Sequence, residues 1–104
     1  MSHTLHFLPE VEEDVMVAYA WYEGKSAGLG AEFLRVFYAT ASEVQRAPLA
    51  YAQIHGEFRR GLLRRFPYAC YFQAMEGRII VFGLFHCARD PSTVAQKIQG
   101  RHVP

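Results

Sequence analysis

The sequence predicts an α+β fold: an N-terminal strand, an antiparallel helical hairpin, then an antiparallel β-meander with the helices packed on one sheet face. Three observations predict it. Apolar residues between Val11 and Val44 recur at steps of three and four, as on buried helix faces. Beyond Glu57 the apolar runs are short, aromatic and β-branched, as in strands. Only Ser26 to Gly30 separate the two helical stretches, so the helices must turn back on each other.

Residues 4–8 (Thr-Leu-His-Phe-Leu) alternate weakly and predict a first strand that joins the later sheet. Pro9 suits a first helical turn, where its missing N–H costs nothing. Glu10, Glu12, Glu13 and Asp14 place negative charge at the positive end of that helix. Val11, Val15, Ala18, Tyr19 and Tyr22 form its apolar stripe, and it ends near Gly24-Lys25. The second helix runs to about Arg46 on Phe33, Phe37, Ala41 and Val44, and Pro48 stops it.

Strands are predicted over Phe58–Arg64, Tyr68–Ala74 and Ile79–His86, with turns at Phe66-Pro67 and Glu76-Gly77. If Glu76-Gly77 turns a hairpin, paired residue numbers sum to 153 and Cys70 faces Gly83. One face then carries Tyr68, Cys70, Phe72, Ala74, Ile79, Val81, Gly83 and Phe85, beneath the helices. The other carries Ala69, Tyr71, Gln73, Ile80, Phe82, Leu84 and His86, and is apolar enough to mark an interface. The register of Phe58–Arg65 is not fixed by sequence, nor are the faces of its arginines.

A chain of 104 residues fits one domain, residues 1–104, with ordinary apolar (51%) and charged (20%) fractions that argue against disorder. No apolar run approaches the ~20 residues needed to span a bilayer, and no basic segment leads into a long apolar core. A cytoplasmic protein without membrane partners is expected. Cys70 and Cys87 agree with a reducing compartment; offset along their strands, they are expected to be buried free thiols. The net charge of +1 hides an asymmetry. Residues 1–57 hold eight acids against three bases, and residues 58–104 eight bases against two acids. Either one basic face meets an anionic partner, or the charges line a solvated strand face.

Four arginines, Arg59, Arg60, Arg64 and Arg65, fall in the eight positions from Phe58. Arginine forks suit phosphate or carboxylate recognition, and charge also protects an edge strand from aggregation. His86, Arg89 and Asp90 end the last strand. They read either as a phosphate-facing or proton-transferring cluster, with Asp90 orienting Arg89 or His86, or as a strand end with a turn at Asp90-Pro91. Val17 and Trp21 sit off the first helix's stripe and either contact the second helix or form a groove for a partner's amphipathic segment. His3-x-x-His6 lacks further ligands, so no metal is expected; nothing points to a cofactor. There is no nucleophile elbow, phosphate-cradling glycine loop or Cys-x-x-Cys.

Together these residues resemble the RelE/ParE superfamily of toxins. The similarity rests on Pro9 through Val15, Ala20-Trp21-Tyr22-Glu23, Gly28 through Leu34, Arg59 through Leu63, Arg65-Phe66-Pro67-Tyr68, Tyr71-Phe72 and His86 through Pro91. It implies a RelE/ParE-like α+β fold and a cognate antitoxin whose tail wraps the toxin in a hetero-oligomer. It implies two targets: DNA gyrase, blocked by binding, in ParE-like members, and mRNA cut in the ribosome by RelE-like ones. Arg59, Arg60, Arg64, Arg65, His86, Arg89 and Asp90 become target-binding candidates; Val17, Trp21, Tyr71 and Phe82 become antitoxin contacts. A nuclease would use Arg59, Arg64, His86 and Arg89. No tyrosine follows Tyr71 and no lysine lies between Lys25 and Lys97, which leaves few groups to move a proton. The His86-x-x-Arg89-Asp90 ending resembles the ParE side. Gyrase inhibition is therefore the first reading, mRNA cleavage the second, and a non-toxic protein-binding domain of this fold the third.

Overall fold

The structure, a computed structural model, describes residues 3–104. In order the elements are β1 (Thr4–Phe7), α1 (Pro9–Lys25), α2 (Leu29–Arg46), a 3-10 turn (Pro48–Ala50), β2 (Gln53–His55), β3 (Phe58–Leu62), β4 (Tyr68–Met75), β5 (Arg78–His86) and α3 (Pro91–Gln99). The expected strand, helical hairpin and meander are all present. Two elements, β2 and α3, were not anticipated.

Helix α1 begins at Pro9 and buries Val11, Val15, Ala18 and Tyr22, while Tyr19 is only half-buried. Its last turn prepares the next helix. The Glu23 carboxylate accepts the backbone N–H groups of Gly28 (3.0 Å) and Gly30 (2.9 Å), which would otherwise be unpaired at the start of α2. Gly28 reaches that position with φ +88°, which a side chain would strain. Tyr22 stacks on Phe33 with centroids 5.2 Å apart, and Phe33, Phe37, Ala41 and Val44 are buried along α2.

The sheet order is β1-β5-β4-β3-β2; β1 pairs with β5 in parallel and the other neighbours are antiparallel. Helices α1 and α2 cover one face, where Gly61 of β3 lies against Val44 and Tyr51. The predicted β4–β5 register holds from Met75↔Arg78 to Phe72↔Val81 and then slips by one residue. Cys70 therefore faces Leu84, not Gly83. The bulge reverses the faces at the end of β5. Leu84 and His86 join Tyr68 and Cys70 on the helix side, with His86 5.2 Å from the Tyr68 ring. Phe85 joins Tyr71 on the other side, 5.9 Å away.

That other face is covered by the chain itself. Helix α3 buries Val94 and Ile98 over it, so Tyr71 and Phe82, expected on an open apolar surface, are only 6% and 4% exposed. The physical reason is a helix start at Asp90-Pro91, whose carboxylate accepts the Ser92 N–H at 3.3 Å and the Ser92 hydroxyl at 2.9 Å.

Strand β1 stops short of the end of β5; its last rung is the Leu8 N–H on the Val81 carbonyl at 3.1 Å. Beyond it, side chains complete the edge. The Asp14 carboxylate accepts the Leu84 N–H at 3.1 Å, and Arg101 donates to the Phe82 carbonyl at 2.8 Å. Arg101 also grips Asp14 through both terminal nitrogens at 2.7 and 3.1 Å, with side chains only 14% and 12% exposed. Gly83 is required beneath: a Cβ there would lie 2.5 Å from the Phe85 ring and 3.0 Å from Arg101.

Cys70 is fully enclosed, and burial pushes its thiol up to about 12. Cys87 is exposed, contrary to expectation, because it lies beyond the end of β5.

Two outcomes follow from this packing. Asp14→Asn and Arg101→Met should each lower stability by about 2–4 kcal/mol, the usual cost of removing one partner from a mostly buried pair. Urea unfolding reads this, and midpoints equal to the parent's would show that the pair holds nothing. A thiol reagent should titrate Cys87 in the native protein and Cys70 only in denaturant, and reductant should leave the unfolding midpoint unchanged. Two fast-reacting thiols in the native state would contradict the packing around Cys70.

Candidate functional site

The arginines grouped in sequence are separated in space by the strand period. Arg59 pairs across from Phe72 and points to the helix side, where its Nη1 donates to the Tyr51 carbonyl at 2.6 Å. Arg60, opposite Tyr71, points to the α3 side. Arg64 and Arg65 follow the strand and turn toward α2. Arg65 adopts φ +68° and donates to Glu32 at 2.6 Å; Arg64 is 84% exposed with its Nη2 3.9 Å from Glu43. Glu32 also bonds Arg35, whose hydrogen bond and charge, aided by Arg65, hold its carboxyl below the usual carboxylate range.

Arg60 shares a cleft lining with Arg89 instead. Both line an open cleft of about 430 Å³ between α3 and the β2–β4 side of the sheet. Ile54, Tyr71, Val94 and Ala95 form its apolar wall, and His55 hydrogen-bonds Gln99 across it. No carboxylate lines this cleft. Among the described residues neither Arg60 nor Arg89 has an ion-pair partner, since the four ion pairs present use Arg35, Arg64, Arg65 and Arg101. The Arg89 guanidinium rests over the Phe85 ring at 5.4 Å.

Arg89 also borders a second groove of about 250 Å³, between α1, α3 and the end of β5. It holds Glu13, Val17, Tyr68, His86 and Lys97. His86 Nδ1 accepts the Ala88 N–H at 2.9 Å, so one ring nitrogen is engaged locally. Burial raises the Tyr68 phenol above its ordinary value, and the nearby Arg89 charge opposes the shift. Asp90 orients neither His86 nor Arg89; it caps α3, and its hydrogen bonds from Ser92 lower its carboxyl pKa. Both earlier readings of Asp90, as an orienting acid and as a simple turn, are thereby replaced.

Val17 and Trp21 lie largely in the open. They are 67% and 57% exposed on α1, with Lys25 Nζ 4.6 Å over the Trp21 ring. Lys97, His55 and Tyr68 were not singled out from the sequence. A helix signature at Asp90-Pro91-Ser92 with Val94 and Ile98 four apart was available, and it would have brought Lys97 into the site. No helix among the described residues is long and apolar enough to cross a membrane.

No protein-family model and no curated protein matches the chain. Among solved structures, a chain of the chromosomal ParDE TA system from P. aeruginosa matches with a TM-score of 0.68 at 14% identity, covering 82% of this chain and 96% of that one. With that superposition, the strand, helical hairpin and antiparallel sheet described above are a fold shared with that chain.

Proposed function

We propose that this protein is the toxin of a type II toxin–antitoxin system, neutralised by a cognate antitoxin and acting by binding DNA gyrase. The observation that carries the reading is the fold match to the ParDE chain over nearly all of that chain's length. A fold does not by itself dictate an activity, so the site must supply the rest. Two features support a binding role. Arg60 and Arg89 stand unneutralised in one cleft, suited to an anionic surface. His86 lies on the opposite sheet face from Arg60, with one nitrogen occupied, so it forms no proton-transfer pair beside Arg60. Val17 and Trp21 are the antitoxin contacts this reading favours, because both are exposed on α1. Tyr71 and Phe82 become accessible to a partner only if α3 moves.

One observation favours mRNA cleavage as a second reading: the groove at the end of β5 gathers Tyr68, His86, Arg89 and Lys97. A ribosome-dependent nuclease would place its proton transfers there.

Pulse expression without antitoxin separates the readings. Gyrase inhibition should induce DNA-damage signalling and leave a purified translation reaction intact; message cutting in the ribosome that disappears on His86→Ala would establish the second reading. Arg60→Ala with Arg89→Ala should abolish toxicity while the protein still folds, because exposed charged side chains usually contribute within about 0.5 kcal/mol to stability. Full toxicity in that folded double variant would eliminate the cleft as the working surface. Trp21→Ser should reduce copurification with the product of the neighbouring gene without altering the unfolding midpoint. Undiminished copurification would move the antitoxin contact elsewhere.

A further inference from the structure

We propose that the free edge of β1 pairs antiparallel with β1 of a second copy of this chain, joining the two sheets across a twofold axis at His6. Strand β1 closes the sheet order on one side and bonds β5 through alternate residues. Thr4 and Leu8 donate to the Gly77 and Val81 carbonyls at 2.9 and 3.1 Å, and His6 falls between them in the same register. A residue that bonds a parallel neighbour turns both its N–H and its C=O toward it. Leu5 and Phe7 therefore direct theirs the other way, to the open edge. Among the described residues nothing else bonds them.

The two ends of this edge select both the partner and its register. At one end Gln45 Nε2 donates to the His3 carbonyl at 2.6 Å and takes it out of use. At the other, Pro9 has no N–H to offer. A second β1 that sets Leu5 against Phe7, and Phe7 against Leu5, satisfies every open group of both copies and needs neither end. A shift of register in either direction would set Phe7 against His3 or Leu5 against Pro9. Charge permits the same contact, since Thr4 through Leu8 contain no acid, lysine or arginine. Beside the edge lies a groove of about 340 Å³ in which Phe7, Met16 and Tyr38 present exposed apolar surface; of the described residues lining it only Glu12 is charged. Exposed edges are ordinarily guarded by lysine, proline or a bulge. The opposite edge has such a guard, because β2 shifts register against β3 between Gln53 and His55. The β1 register against β5 runs without a break.

This goes beyond the toxin reading and is measured without any cellular target, so each can fail alone. Sedimentation of the purified full-length chain should show monomers that become dimers as concentration rises. The Leu5 and Phe7 amides should gain protection from hydrogen exchange as dimer forms, whereas the His6 amide, directed to β5, should be protected throughout. His6 is exposed, and the pairing sets it opposite its own copy. His6→Lys should therefore weaken association by about fivefold, the effect of like charges facing each other across strands, and leave the unfolding midpoint of the dilute monomer unchanged. Gln53→Lys, on the β2 edge, should leave association as it was. A chain still monomeric at about 1 mM, weaker than any contact counted as specific here, would overturn the pairing. So would a dimer untouched by His6→Lys, equal weakening by Gln53→Lys, or Leu5 and Phe7 amides equally protected at every concentration. Protection of those amides that appears only when the neighbouring gene's product is added would assign the edge to that partner and remove the second copy.

Discussion

The end of β5 poses the problem on which the rest of this structure turns. A bulge at Phe82-Gly83 interrupts the ladder to β4, and β1 has already ended on the other side. A strand edge inside a packed domain cannot leave its N–H and C=O groups bare without a cost of a kilocalorie or more each. Asp14 of α1 and Arg101 beyond α3 fill both vacancies and bind each other, so residues 87 positions apart in the chain close one short length of edge. The pair does more than complete the sheet. It attaches the segment after α3 to α1, and α3 buries only Val94 and Ile98 of its own side chains. A short helix with so little buried surface depends on such a tether.

The same bulge decides what the functional surface contains. Simple alternation would have put Phe85 beneath the helices and His86 on the far side. The inserted residue exchanges them, so Phe85 supports Arg89 and Arg101 from one side while His86 packs against Tyr68 on the other. Arg89 therefore leaves the sheet between two grooves, and it borders both. On β3 the ordinary two-residue period does the complementary sorting, committing Arg59 to a backbone carbonyl and Arg60 to the cleft. The basic half of the sequence is thus a property of composition, whereas the lining of the cleft takes only two of its basic residues, 29 positions apart.

Where the sequence was legible, one strong period or one punctuating residue controlled the outcome. Pro9 and Pro48 mark helix limits because proline fixes its own backbone angle, Gly28 because glycine admits a positive φ, and Phe33, Phe37 and Val44 report a face that only a helix presents. The near-turn register of β4 and β5 was legible for the same reason, since Glu76-Gly77 sets it directly. It failed past Phe72, where Gly83 is needed by atoms brought from Phe85 and Arg101 and no local pattern announces the extra residue. The Asp14–Arg101 pair was invisible because long-range partners leave no spacing signal, and Asp14 read as one more acid favouring the start of α1. Helix α3 was a different kind of miss. Its Asp90 cap, Pro91 and four-residue spacing of Val94 and Ile98 were present, but the site was read from His86-x-x-Arg89-Asp90 as a unit. Once Asp90 is a cap, that unit dissolves, and Arg89 is left between the cleft and the neighbouring groove.

Arg60 and Arg89 both border a cleft that no acid lines. Elsewhere this chain does place acids against its arginines: Glu32 takes both Arg35 and Arg65, Glu43 lies near Arg64, and Asp14 holds Arg101. The cleft departs from that habit. Departures from local consistency in an otherwise consistent structure belong with function, because stability alone would remove them. The departure also separates recognition from bond-breaking. Unpaired arginines attract and orient an anion without gaining or losing a proton at neutral pH, whereas cleavage of a ribose–phosphate backbone needs a group that does both. The residues near Arg60 and Arg89 in the cleft supply the first requirement. A proton relay would have to be assembled from His86 and Lys97, across Arg89 in the neighbouring groove, where His86 already accepts a hydrogen bond from its own chain. The physical asymmetry between the two grooves is thus one of charge: no acid lines the cleft, whereas Glu13 and Asp14 line the groove that holds His86 and Lys97.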